Sequence, residues 1–225
     1  MLFIESNDEA SSYFGRKPWE NTIAYYPLDS QSALLDKSWN NRNLTNHNIS
    51  IWEFSWVDCA YFNWNAYADI PSVSWYRTIN MRIKAENITP TWVWLSWSTD
   101  NPPEYVLQII TDRICAWWHW NWTFNDDIYY WSIWNISWWT WHMRTVVQTN
   151  YTYESWDKIE FYRDCQLFAT KSNNSLNFPF KYLGNYAWNS YRWKWYVSEL
   201  IFESEKRDVA KMQKYYDKIK WKYGY

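Results

Sequence analysis

The segment Tyr76-Arg77-Thr78-Ile79-Asn80-Met81-Arg82-Ile83 alternates without a break. Ile79, Met81 and Ile83 fall on one parity, Thr78, Asn80 and Arg82 on the other. Successive side chains of a strand point to opposite faces, so the pattern predicts a strand with one buried and one solvated face. On either side, strand-like runs recur every ten to fifteen residues, the clearest at 23–27, 59–62, 105–111, 142–149, 158–162, 166–170 and 195–202. The runs 158–162 and 166–170, joined across Arg163-Asp164-Cys165, read as a tight hairpin. Many short strands with no helix between them predict an all-β fold, an antiparallel β-sandwich or jelly roll of two packed sheets.

One helix is expected, at the end. Over 205–220 the apolar residues Val209, Met212, Tyr216 and Ile219 fall at i, i+3, i+7 and i+10, a single stripe. Ser204 is placed to cap it, and Glu205 suits the positive end of the helix dipole. Lys211, Lys214 and Lys218 lie off the stripe, and Glu205, Asp208 and Asp217 interrupt the basic surface. The expectation is a helix docked on the sandwich with a solvated lysine face, rather than a membrane-binding helix.

Composition carries an anomaly: 23 tryptophans and 3 glycines in 225 residues. Several tryptophans follow Asn, Ser or Lys in polar stretches, as in Lys37-Ser38-Trp39-Asn40-Asn41, Asn63-Trp64-Asn65 and Glu154-Ser155-Trp156-Asp157. Such contexts ask for a residue of positive φ, which glycine adopts at no steric cost. The run Trp117-Trp118-His119-Trp120-Asn121-Trp122 reads naturally as a loop only with glycine in place of tryptophan. The pattern is that of a gene whose UGA codons mean glycine, a reassignment of the genetic code, but are translated as tryptophan. With every tryptophan but Trp141 so read, glycine rises to about 25, roughly 11 % against a usual ~7 %. The competing reading is a truly tryptophan-rich protein, whose 23 indoles would each want burial or an N–H partner.

The length suits one large β domain, and no linker or charge block divides the chain. The expected organisation is an N-terminal extension over 1–19 and one domain over 20–225. A net charge of −2 and a pI of about 5.9 argue against a nucleic-acid surface. No stretch approaches the apolar length of a membrane span, so no membrane insertion is expected. Met1–Asp8 lacks the basic and apolar regions of a signal peptide, leaving a cytoplasmic chain, export by another route, a virion, or a fragment of a precursor. Cys59, Cys115 and Cys165 are isolated and read as single buried thiols. The seven Asn-x-Ser/Thr sequons, at Asn43, Asn48, Asn87, Asn121, Asn135, Asn150 and Asn173, read as coincidence in an Asn-rich chain.

With glycine restored, the order of motifs resembles the LamG-like branch of the concanavalin A-like lectin/glucanase superfamily. Thr22-Ile23-Ala24-Tyr25-Tyr26-Pro27-Leu28-Asp29, followed by Asp36-Lys37-Ser38-Trp39-Asn40-Asn41-Arg42-Asn43-Leu44-Thr45, is similar to that family's opening. Ala60-Tyr61-Phe62-Asn63-Trp64-Asn65-Ala66-Tyr67 resembles its first hairpin, and Thr140-Trp141-His142 its entry to a central strand. Ile159-Glu160-Phe161-Tyr162-Arg163-Asp164-Cys165-Gln166-Leu167 resembles a later hairpin, with Cys165 where the family has glycine. Trp195-Tyr196-Val197-Ser198-Glu199-Leu200-Ile201-Phe202 is similar to its last sandwich strand. The match runs from about 20 to 222. It implies a jelly roll but no single activity, since the fold carries lectins, adhesion modules, glycosidases and virion proteins.

Catalytic signatures are missing. Hydrolases of this fold set two carboxylates on one strand face, in a Glu-x-Asp-x-Glu run. The nearest approach here, Glu154-Ser155-Trp156-Asp157-Lys158-Ile159-Glu160, puts Asp157 on the wrong parity. With glycine restored, Trp94-Leu95-Ser96-Trp97-Ser98 begins like a nucleophile elbow but ends in serine. His142 reads as structural. No catalytic residue is assigned, and ligand-binding residues stay unknown. No cofactor is assigned; calcium at a loop rim, where oxygen ligands cluster, is the one cofactor hypothesis, with Asp58, Asp126 and Asp127 as weak metal candidates against the ordinary reading of solvated surface acids. The leading expectation is a non-catalytic recognition module binding glycan or protein on a cell or virion surface. A structural role in a surface or virion assembly comes second, a glycoside hydrolase third.

Overall fold

The computed structural model describes residues 21–54, 57–63, 65–73, 75–85, 92–96, 105–110, 113–118, 128–129, 142–149, 158–172, 180–184 and 195–219. Strands are antiparallel throughout and form two sheets. The first runs β13 (Gln166–Ser172), β12 (Lys158–Arg163), β11 (His142–Thr149), β6 (Thr78–Ala85), β15 (Trp195–Glu203), β4 (Val57–Phe62), β3 (Ser50–Phe54). Its eighth strand, β1 (Thr22–Tyr26), pairs with Leu200–Glu203 of β15, while β4 pairs with Trp195–Val197, so the two follow each other along one edge of β15. The second sheet runs β10 (Ile128–Tyr129), β9 (Arg113–Trp118), β8 (Tyr105–Ile110), β7 (Trp92–Ser96), β14 (Phe180–Gly184), β5 (Tyr67–Val73), β2 (Thr45–His47). Among the described residues one helix, α1 (Val209–Ile219), follows β15. The fold is the expected all-β sandwich.

The core lies between the sheets. Ile79, Met81 and Ile83 of β6 and Val197, Leu200 and Phe202 of β15 meet Ala68, Ile70 and Val73 of β5 and Phe180 and Leu183 of β14. Tyr76, Phe180 and Phe202 close the layers together, with ring centroids 5.5 Å, 5.7 Å and 6.2 Å apart. Each buried aromatic or branched side chain contributes about 1.5–3 kcal/mol. Val197 and Leu200, three apart, both face inward because a bulge at Ser198 shifts the parity of β15 against β6.

The hairpin between β12 and β13 turns on Asp164 (φ 48°) and Cys165 (φ 65°). Positive φ at both central residues matches the right-handed twist of the strands, and Cys165 holds the position where the resembled family has glycine. The stretch 60–67 is different from expectation. β4 belongs to one sheet and β5 to the other, so this is a corner crossing between layers, not a hairpin. Ala66 N–H donates to Asn63 O at 3.1 Å, and Asn65 N–H to Asn63 Oδ1 at 3.1 Å. Gly184 (φ 109°) packs into that corner, where a Cβ would stand 2.9 Å from both Ala66 O and Phe62 Cδ1.

The opening motif folds around one carboxylate. Asp36 accepts from Tyr25 N–H (2.9 Å), Ser38 N–H (2.8 Å), Ser38 Oγ (2.7 Å) and Arg42 N–H (2.8 Å). The left-handed residue of this loop is Asn41 (φ 51°), not Trp39. Of the described tryptophans, Trp75 does hold a left-handed backbone (φ 62°) in the turn before β6, with 69 % of its surface exposed. Trp52, Trp92, Trp94, Trp117, Trp118 and Trp195 lie in strands. The run 117–122 is thus not all loop: its first two residues finish β9, held to Tyr105 and Val106 of β8 by the ladder.

Two further expectations are corrected. The polar parity of β6 is not wet: Thr78, Asn80 and Arg82 are fully buried, because the C-terminal segment lies across that face. The helix also starts later than expected. Thr78 Oγ1 donates to Glu205 O (2.7 Å) and accepts from Arg207 N–H (3.0 Å), pinning 205–207 outside the helix. Asp208 caps instead, with Oδ1 accepting from Ala210 N–H at 2.9 Å and its carbonyl from Met212 N–H. The docked face is Met212 with Tyr215 and Tyr216, while Val209 is 41 % exposed. Lys211 and Lys214 are exposed, as expected.

Candidate functional site

Asp58, on β4, accepts from Ser30 N–H at 3.2 Å and from Ser30 Oγ, and so ties the loop after β1 to the sheet. Asp126 and Asp127 lie outside the described residues, as do Glu154, Asp157, Trp141 and His119. Among the described residues no three His, Cys, Asp or Glu side chains converge as a metal site would require. Trp94, Leu95 and Ser96 lie in strand β7, and the residues that would complete an elbow lie outside the described residues. His142 opens β11, as expected.

Glu160 is buried on the outer face of the first sheet, beneath the C-terminal segment. It accepts from Tyr162 Oη at 2.9 Å and pairs with Lys206 Nζ at 3.0 Å. Burial, with Glu160 beside it, pushes the Tyr162 hydroxyl up to about 12. The same face holds Arg82 Nε on Glu199 Oε2 at 2.8 Å, with Tyr215 Oη donating to Glu199 Oε1 at 2.6 Å. Arg207 pairs with Glu203, and both guanidinium groups stand over the Tyr215 ring, at 5.2 Å and 5.8 Å. Three carboxylates and three cations thus neutralise each other under α1. A cleft of about 430 Å³ opens at the foot of the helix, lined by Glu203, Lys206, Arg207, Lys211, Lys214 and Tyr215. Glu205 and Asp208 also line it, so acids and bases are mixed, and the Glu203–Arg207 pair is committed to structure. This face is a docking seat for the helix.

The second sheet offers a different surface at β2, β5 and β14. Ala68 and Ile70 point into the core, which turns Tyr67 and Asp69 outward. His47 lies opposite Tyr67 in the β2–β5 register, and Tyr182 opposite Asp69 in β5–β14. The imidazole stacks on the Tyr67 ring, centroids 4.2 Å apart and 8° from parallel. Tyr182 meets Tyr67 edge-on at 6.5 Å. His47 Nε2 is 2.8 Å from Asp69 Oδ2, with the two side chains 34 % and 42 % exposed. The alternation Tyr67-Ala68-Asp69-Ile70 was legible as a half-buried strand. His47 and Tyr182 were not, because only sheet pairing across 20 and 115 residues brings them alongside. The four side chains form a braced, half-exposed polar-aromatic strip across three strands. Such a strip can stack against an apolar ring face and accept hydrogen bonds from hydroxyls.

No family model and no curated protein matches this sequence. Solved structures do match in fold. The binding domain of botulinum neurotoxin DC in complex with rat synaptotagmin II superposes with a TM-score of 0.65 at 12 % identity, covering 89 % of this chain and 52 % of that one. The same toxin's binding domain in complex with SialylT gives 0.65 at 13 %, with the same coverage. The binding domain of Paraclostridial Mosquitocidal Protein 1 gives 0.58 at 13 %, over 88 % and 52 %. The chain spans about half the length of these binding domains, and what it shares with them is the sandwich fold.

Proposed function

We propose that this chain is a non-catalytic recognition module of LamG-like type, binding glycan or protein on a cell or virion surface. The observation that carries it is the half-exposed His47–Tyr67–Asp69–Tyr182 strip, braced before any ligand arrives. α1 and the segment before it cover the outer face of the first sheet over β6, β12 and β15, whereas among the described residues the β2–β5–β14 face of the second sheet is half-exposed. Kinship in fold with toxin binding domains supports a binding role. The covered position of Glu160 speaks against its use as a cleft acid.

The same reading takes 20–225 as one domain after an extension over 1–19, and most tryptophans as glycine positions. The left-handed Trp75 supports the latter. Reading the gene's codons tests it: UGA at the turn sites with UGG at Trp141 upholds glycine, and UGG throughout overturns it. A calcium site at the loop rim would draw on Asp58 or on Asp126 and Asp127. Calcium titration by calorimetry, with and without Asp126→Asn/Asp127→Asn, tests that part. For the function itself, the test is a glycan array together with capture on a panel of surface proteins. Selective binding upholds the proposal. A discrete stable oligomer that binds neither class overturns it in favour of a structural role.

A further inference from the structure

We infer that the outer edge of β3 receives an extended segment of a partner protein, added as a further strand, with Lys or Arg beside Glu53 and an aliphatic residue beside Ile51. This rests on the recognition reading above but on a surface apart from the strip, so the two can fail separately.

β2 and β3, joined through Asn48 and Ile49, end the two sheets on one side of the sandwich. An edge strand turns alternate N–H and C=O groups away from its one neighbour. At β1 the chain closes such an edge itself: Lys37 N–H donates to Tyr25 O at 2.7 Å, Tyr25 N–H to Asp36 Oδ1 at 2.9 Å, and Asn40 Nδ2 to Ile23 O at 2.9 Å. At β3 the ladder to β4 is matched by no hydrogen bond from the other side among the described residues. Its five residues are the usual length of a paired strand.

Charge decides the occupant. Ile51 packs against the core, and Trp52 against Tyr61 on the opposite face, with centroids 4.7 Å apart. Glu53 therefore shares the face of Ile51, and the register sets it directly opposite Asp58. Asp58 accepts from Ser30, while Glu53 is exposed and has no ion pair among the described residues. Like charges directly opposite destabilise a strand pair. A cation on an added strand relieves that repulsion, and a neutral or acidic strand does not. The carboxylate thus deters indiscriminate pairing and selects a basic partner. Backbone pairing and this charge carry the recognition, so the indole of Trp52 is not required for it.

The probes are short capped peptides of alternating, strand-forming sequence. One carries Lys and Ile two positions apart, a second has Glu in place of that Lys, and the first is also made with alternate backbone nitrogens methylated, in either phase. Calorimetry measures each on the full chain and on Glu53→Lys, with circular dichroism verifying that the variant is folded. The Lys peptide is expected to bind about two- to fivefold more tightly than the Glu peptide, and Glu53→Lys to reverse that order. Methylation in one phase should abolish binding, and uptake should slow amide exchange over 50–54. Binding that survives methylation in both phases, or an unchanged order in folded Glu53→Lys, would overturn the proposal, as would failure of every peptide to bind. A dimer of the unaltered chain that protects 50–54 without peptide would overturn it in favour of a second copy. Peptide binding retained in Tyr67→Ala, with no ligand found on the glycan array or the surface-protein panel, would sink the strip and uphold this edge.

Discussion

Trp75 allows a backbone effect to be isolated from the side chain. It sits at φ 62° between β5 and β6, with most of its ring in solvent. A residue with a Cβ in the left-handed region costs about 1–2 kcal/mol. Glycine escapes that cost but loses about 0.5–1 kcal/mol more chain entropy on folding. Trp75→Gly and Trp75→Ala both delete the indole, so side-chain contacts cancel in their difference. Trp75→Gly should therefore be the more stable of the two by about 0.5–1 kcal/mol. Trp39, 84 % exposed and without a left-handed φ, is the control. There the order should reverse, with Trp39→Ala ahead by about 0.5–1 kcal/mol. Urea unfolding followed by far-ultraviolet circular dichroism reads both pairs. With m of about 3 kcal/mol/M, each difference moves the midpoint by about 0.2–0.3 M. Equal midpoints at position 75, or the same order at both positions, would refute the assignment of strain to Trp75.

Gly184→Ala should destabilise by about 2–4 kcal/mol, since its Cβ meets backbone at Ala66 and the Phe62 ring in an unfavourable φ region; a wild-type melting temperature would contradict that packing. Glu199→Leu should cost about 3–5 kcal/mol by leaving Arg82 buried without its carboxylate, while the joint change Arg82→Met/Glu199→Leu should recover most of it. Denaturant midpoints that add simply across the two changes would show that the pair is not coupled. Alkali should unfold the protein. Burial raises the Tyr26 and Tyr162 hydroxyls, the latter to about 12, above the ordinary value near 10. The folded state then holds protons that the unfolded chain releases, so stability is full below about pH 10 and falls as pH rises toward 12. Absorbance of tyrosinate at 295 nm should show these two titrating only together with unfolding. Early titration of all tyrosines in a still-folded chain would contradict their burial. Cys165, pushed up to about 12 by burial, should resist alkylation at pH 8 until denaturant is added, which mass spectrometry of the labelled peptide can check.

Local chemistry was enough for much of the architecture. The alternation at 78–83 sets a strand in any context, because parity follows from backbone geometry alone. Asp164-Cys165 between two apolar runs sets a hairpin, and the stripe around Met212 sets a helix, each from interactions within a few residues. Sequence order could not say which strands share a sheet. It therefore could not show that 63–66 crosses between layers, that β15 lies at the centre, or that the polar parity of β6 is sealed by a helix more than a hundred residues later. Long-range pairing decides those points, since the burial of Arg82 depends on Glu199 and Tyr215 arriving beside it. The candidate site follows the same rule. Tyr67 and Asp69 face outward by parity, legible in four residues of sequence. Only the β2–β5–β14 register sets His47 and Tyr182 against them, and that register comes from packing the shared core beneath.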